Sequence, residues 1–345
     1  MASRFKTAAG RAALVVTAGV LALTALEAAL RWLPRRAFRE SDRSLRYVAP
    51  EPSRQHPWSR GAADPLRIAV VGDSVAFGSG VQPCDTYGAR LEWMLNINPT
   101  ARPAEVHVFA RPGTNPDGQQ WQELPQALAI RPHLLVLGLC LNDAESTKRR
   151  DEIKDWRRRM LTRPPPSWLA PALRVSRAAA WLYRKKEDRR INRAYYDYYR
   201  FLYNPRYDGW QRLTNSIGHF QEECDAAGVP FMVLVVPLLT DLRATPYPFD
   251  YVHDQIAEFL RGRRIPSLDL RGALLGLDPR RLEVQPGVDP HPDEIAHRIM
   301  AEALFDYLIS EGRIPAEYQI QGENQAEVHG IWDALQKQRE VAPRP

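Results

Sequence analysis

Lysine is scarce in this chain, cysteine is scarcer, and no long block carries charge of one sign. Only six of the 47 basic residues are lysine, so the formal net charge of +6 is carried almost wholly by arginine. Those arginines are interleaved with acids, without the basic stripe that tracks a phosphate backbone, which argues against a nucleic-acid partner. The three cysteines, Cys84, Cys140 and Cys224, are odd in number and far apart, with no CxxC and no Cys/His cluster at zinc spacing. Neither a disulfide framework nor a zinc site is expected, and each cysteine reads as a small apolar filler. Glycines, at 20, are outnumbered by 29 prolines, which points to long, stiff connections. With 44% apolar and 26% charged residues over 345 positions, global disorder is not expected, and one large core with insertions and tails is.

The front of the chain has what most of it lacks, a long uncharged apolar run. From Ala12 to Leu26, "AALVVTAGVLALTAL" carries no charge, and if Glu27 is tolerated the stretch continues through Leu33, long enough to span a bilayer. A signal anchor, a cleaved signal peptide and a buried helix all fit such a run. The basic start at Arg4, Lys6 and Arg11 argues against the buried helix, and the lack of a clean A-x-A before a polar mature start favours the anchor. Residues 1–33 are therefore expected to form a single-pass transmembrane anchor. Arg31, Arg35, Arg36 and Arg39 follow the run and compete with the basic N-terminus for the inner side, so the positive-inside rule alone leaves orientation open.

Residues 34–64, rich in Arg, Ser and Pro without periodicity, read as a juxtamembrane linker. Beyond them, apolar β-branched runs recur at Leu66–Val71, Val106–Phe109, Leu134–Leu139, Phe231–Val236 and Ile265–Leu270. Helical patterns fall between and after them, at Tyr87–Leu95, Gln119–Ala129, Trp210–Ala227, Val252–Arg261 and Glu294–Ile309. Strands alternating with helices predict an α/β fold with a parallel sheet covered on both faces, in three layers. This domain is expected over 65–312. Residues 144–209 break the rhythm with "TKRRDEIKDWRRRM", "RPPPSWLAPAL" and "YYDYYRFLYNPRYDGW" and read as a helical insertion. It is either a substrate cap over the strand ends or a segment with a solvated charged face whose aromatics pin it to the body. The tail 313–345 carries one expected helix, near Ala326–Gln338.

The candidate chemistry lies where the apolar runs end. "RIAVVGDSVAFGS" stops at Gly72, Asp73 and Ser74, a tight exit followed by a hydroxyl at the start of a helical turn. Gly72 stands two residues before Ser74 but Ala76 stands two after it, so the GxSxG elbow is incomplete. The second run leads into "ARPGTNPDGQ", where Gly113 can present an unobstructed backbone N–H. The third ends "VLGLCLND", with the Asn142 amide able to donate to a developing oxyanion. Asp289 and His291, in "GVDPHPDEIAHRIM", precede the last helix, and Pro290 favours an extended backbone that would turn both side chains one way. Acyl transfer needs these groups: Ser74 to attack, His291 to take its proton, Asp289 to hold the imidazole, and Ser74 N–H, Gly113 N–H and Asn142 as an oxyanion hole. Each tripeptide alone also reads as a turn or a cap. His297 reads as a packing or capping residue.

These four blocks in this order resemble the SGNH/GDSL hydrolase superfamily, over roughly residues 65–310. The resemblance implies a flavodoxin-like α/β/α sandwich, Ser74 as nucleophile, His291 as base with Asp289 its partner, Gly113 and Asn142 as oxyanion donors, and no metal or organic cofactor. Two departures stand out: Val288 occupies the place, three before the histidine, where many members carry the acid, and Asp293 stands where asparagine is frequent. The expected activity is that of a membrane-anchored serine esterase or deacylase. Anchored members often act on envelope or exopolysaccharide esters, which implies a carbohydrate ester substrate and a domain on the periplasmic or extracellular side. An O-acyltransferase using the same residues and an inactive binding module of the same fold stay open, and no obligate protein partner can be inferred.

Overall fold

A computed structural model describes residues 2–32, 64–97, 102–145, 164–286 and 289–319. The expected linker, apart from Asp64, lies outside the described residues, as do residues 146–163 and the helix expected near Ala326–Gln338. The chain divides into two compact units. One comprises the described residues of Met1–Arg39 and Glu152–Asp197, the other those of Glu40–Asp151 and Tyr198–Pro345.

In the first unit, α1 (Ala2–Trp32) is a single helix whose Leu14–Trp32 stretch of 19 residues is long and apolar enough to cross a membrane, with none of it buried inside the protein. Two more helices, α5 (Ala170–Val175) and the start of α6 (Arg177–Leu202), complete its described part.

The second unit holds the sheet. Its strands are β1 (Leu66–Gly72), β2 (Ala104–Ala110), β3 (Leu134–Cys140), β4 (Phe231–Val236) and β5 (Ser267–Asp269), all parallel, in the order β2-β1-β3-β4-β5. Every residue of β3 and β4 is buried, and in β1 all but Arg67, so the runs read as continuous apolar stretches instead of alternating ones. That is the signature of strands covered on both faces. Between the strands run α2 (Ser74–Phe77), α3 (Tyr87–Leu95), α4 (Pro116–Ala129), α7 (Asp208–Ala227), α8 (Asp250–Gly262) and α9 (Arg271–Leu274), and α10 (Glu294–Ser310) follows. From β1 the chain steps outward to β2, then back past β1 to β3 and onward. Right-handed crossovers therefore put α3 on one face and α4, α7 and α8 on the other. The contacts agree, since α3 packs with α10 and α4 with α7. The three-layer, flavodoxin-like sandwich is thus the observed fold, and its strand order reverses between β1 and β3.

Three differences from the sequence reading have plain causes. Helix α4 starts three residues before Gln119 because Pro116 fills its first turn, where a missing N–H costs nothing. The stretch around His291 is not a bare loop: β6 (Glu283–Gln285) and β7 (Asp289–Pro292) pair antiparallel, too short and proline-rich to show as strands. Cys84 is exposed in a 3-10 turn beginning at Pro83 and is no filler, whereas Cys140 and Cys224 are buried; all three are free thiols. The tyrosine-rich end of the insertion joins this unit's core. Tyr199 and Tyr203 are almost fully buried, with Tyr199 packed edge-on against Phe249 and the Tyr203 hydroxyl donating to the Leu141 carbonyl at 2.8 Å.

Candidate active site

The sheet register explains why distant segments meet. Gly72 lies beside Ala110 on one side and Gly138 on the other, so the loops after β1, β2 and β3 leave the same edge of the sheet together. Ser74 follows from the middle strand, while Gly113, three residues past Ala110, and Asn142, four past Gly138, follow from its two neighbours. Gly113 has φ of +73°, a left-handed conformation that suits glycine and orients the turn. At Gly72 the requirement is space. A Cβ there would fall 2.5 Å from the Ala76 Cβ, because α2 folds straight back over the strand end. Gly138 is equally confined, since its Cβ would meet the Tyr87 hydroxyl at 2.7 Å.

Asp73 caps α2, its Oδ1 accepting from Val75 N–H at 2.8 Å. This fixes the turn that carries Ser74. The serine Oγ lies 3.0 Å from His291 Nε2, although 217 residues separate them, and 3.4 Å from Asp73 Oδ2. On the other side of the ring, His291 Nδ1 lies 2.6 Å from Asp289 Oδ1, which also accepts the His291 backbone N–H at 3.1 Å. An Nδ1–H donating to the carboxylate leaves Nε2 unprotonated and facing the serine hydroxyl, the tautomer a general base requires. The hydrogen bond His291 donates to Asp289 raises the imidazole pKa above its ordinary 6.5, against the opposing effect of burial, and the same bond lowers that of Asp289. Val288 lies outside the described residues, and the partner found on His291 is Asp289.

The structure therefore brings Ser74, His291 and Asp289 into one hydrogen-bonded chain and sets Gly113 and Asn142 on the two loops flanking the serine. Beneath them lies a buried layer, Asp73 and Asp143, that no local sequence pattern singles out. Besides capping α2, Asp73 Oδ1 accepts the Cys140 thiol at 3.6 Å, and the Asn142 side chain beside it works against the rise in its pKa. One carboxylate thus ties the turn that carries Ser74 to the end of β3 at Cys140. Asp143 Oδ2 accepts the Cys140 N–H at 2.8 Å and closes the turn after β3. Burial raises the pKa of both Asp73 and Asp143, and for Asp143 the nearby Asp73 raises it further. The adjacency of Asp73 to the serine was the one available signal, and Gly-Asp-Ser reads equally well as a turn at a strand end. His297 behaves as a packing and capping residue. It is fully buried and stacked on Tyr87, and its Nδ1 accepts Tyr87 N–H, an otherwise orphan donor at the start of α3. Burial lowers its pKa to about 3, so it stays neutral beneath the site.

Solved structures similar to this chain include a G-D-S-L family lipolytic protein from Desulfitobacterium hafniense, with 13% identity over 70% of this chain and 98% of that one and a TM-score of 0.43. A catalytic mutant of Axe2, an acetylxylan esterase from Geobacillus stearothermophilus, is similar at 11% identity over 70% and 93%, with a TM-score of 0.44. The psychrotrophic esterase EstA from Pseudoalteromonas sp. is similar at 9% over 72% and 100%, with a TM-score of 0.42. No protein-family model matches the chain, and no curated protein matches it either. With identities and scores this low, the chemistry rests on the residues described above.

Proposed function

We propose that the chain is a membrane-anchored, SGNH-type serine esterase or deacylase that works through an acyl-enzyme. The observation that carries the reading is the unbroken line from Ser74 Oγ through His291 to Asp289, at 3.0 and 2.6 Å. In the proposed reaction Ser74 Oγ attacks an ester carbonyl as its proton passes to His291 Nε2. Asp289 stabilises the resulting imidazolium, and Ser74 N–H, Gly113 N–H and the Asn142 amide receive the charge that develops on oxygen. His291 then protonates the departing alcohol. Water, deprotonated by the same imidazole, attacks the acyl-serine, releases the acid and restores the hydroxyl. No step calls for a metal or an organic cofactor.

The proposed substrate is an O-acylated carbohydrate of the cell envelope or an exopolysaccharide. This rests on the resemblance to anchored members of the superfamily and on α1, long and apolar enough to hold the domain at a membrane. The proposed location is the periplasmic or extracellular side. The test is an assay of the full chain in detergent on acetylated sugars and on long-chain acylglycerols, with and without a sugar acceptor. Release of acetate from the sugars without an acceptor is the expected result. Product only with an acceptor would assign an acyltransferase, and no turnover of any ester would leave a binding module.

The pH dependence tests the base. Only neutral imidazole accepts a proton, so with the His291 pKa raised, kcat/KM should be lost as pH falls through a value above 6.5. Asp289→Asn removes the charge that raises it. A pH–rate titration of that variant should show the acidic limb displaced to lower pH and a plateau reduced less than in His291→Ala. A wild-type limb and plateau in Asp289→Asn would mean that another group orients the ring.

A further inference from the structure

The apolar stretch of α1 contains two charged residues, Glu27 and Arg31, and the glutamate is bonded to the start of α6. Glu27 accepts from Ser176 Oγ at 2.8 Å, from Arg177 N–H at 3.1 Å and from Ala178 N–H at 2.8 Å, as well as from Arg31 Nε at 2.8 Å. In return, Arg177 Nη1 donates to the Leu30 and Arg31 carbonyls at the end of α1, at 2.9 and 3.3 Å. Each helix thus closes the open end of the other: a carboxylate meets the free N–H groups of α6, and a guanidinium meets the free carbonyls of α1.

This bolt fixes a depth. At about 1.5 Å per residue, the stretch from Leu14 to Trp32 measures about 28 Å, close to the ~30 Å of a bilayer core. With Trp32 at one interface, Glu27 sits about 7.5 Å inside it, and Ser176–Ala178 are drawn to the boundary between acyl chains and headgroups. The side chains on either side of that point are the wrong ones for water. Trp168 and Val175 are 78% and 76% exposed, and Trp181 and Leu182 are 40% and 45% exposed. Among them stand the exposed cations Arg174, Arg184 and Lys185, and the Lys185 ammonium lies 5.9 Å from the Trp181 ring centroid. Aromatics and aliphatics beside basic groups are what an interface of acyl chains and anionic headgroups accommodates.

We infer that the segment from Trp168 to Lys185, bolted to α1 through Glu27 and Arg177, is a membrane-interfacial element seated in an anionic lipid surface. The inference rests on the proposed anchoring by α1 and extends it: the insertion adds a second, shallow attachment, so the protein is held at two places on the bilayer.

Spin labels on the full chain test it, reconstituted in vesicles of three parts phosphatidylcholine to one of phosphatidylglycerol. In a Cys84→Ser background, Val175→Cys and Leu182→Cys carry the probe, Leu21→Cys reports on the span, and Arg280→Cys, from an exposed position, gives the aqueous reference. Collision with oxygen is compared with collision with a water-soluble nickel complex. Positions 175 and 182 are expected to favour oxygen, as position 21 does, and Glu27→Gln should shift position 175 toward the aqueous value without moving position 21. Aqueous values at 175 and 182 with position 21 in the bilayer would overturn this inference and leave the anchor standing. An aqueous position 21 would overturn both. Exclusion of both reagents, or broadening that disappears on dilution with unlabelled chain, would mean that protein covers the segment, which also overturns it. An unchanged position 175 in Glu27→Gln would remove the bolt.

Discussion

Ser74→Ala is expected to reduce ester turnover by about a thousandfold or more, which corresponds to at least about 4 kcal/mol of lost transition-state stabilisation. The variant should fold normally, because the side chain removed is one oxygen in a partly exposed position and the turn beneath it is held by Asp73 and the Val75 N–H. What is lost is the bond-forming atom. The remaining groups still bind and polarise a carbonyl, so a residual rate above that of water is expected, not a complete loss. Single-turnover measurements with a chromogenic acetyl ester check this directly: the wild type should label at Ser74 before releasing acid, and the variant should not label at all. A rate unchanged by the substitution would remove the central assignment.

Asn142→Ala carries the second large effect, a fall in kcat of about a hundred- to a thousandfold with KM little changed. The split follows from when the amide acts. It meets charge that exists only after the carbonyl has been attacked, so the ground-state complex loses little. The Asn142 side chain also lies beside Asp73, the carboxylate that caps the turn carrying Ser74. A rise in KM with kcat preserved would place Asn142 in ground-state binding and out of the oxyanion hole. Steady-state kinetics on one soluble ester separates the two outcomes.

How much of this could be read beforehand depended on how local each cause is. The sheet was legible because β1, β3 and β4 are buried on both faces, which leaves uninterrupted apolar runs in the chain. The edges were less so: β5 spans only Ser267–Asp269, shorter than the apolar run around it, since an edge strand with one neighbour ends where pairing ends. That Ser74, Gly113 and Asn142 converge could be expected, because the loops after neighbouring parallel strands leave the same edge of the sheet. The β6–β7 pair was not legible, since its strands of three and four residues include Pro290 and Pro292. Nor was the second use of Asp73. Its link to Cys140 joins positions 67 residues apart, and such a contact exists only once β1 and β3 lie side by side.

The placement of His291 on its own small hairpin, beyond all five strands of the sheet, has a consequence for biosynthesis. His291, the proposed proton acceptor, leaves the ribosome 217 residues after Ser74. A chain released before β7 therefore lacks His291 and also α10, the helix that packs on α3 over one face of the sheet. Activity thus requires synthesis through the last helix, not just through the five-stranded sheet.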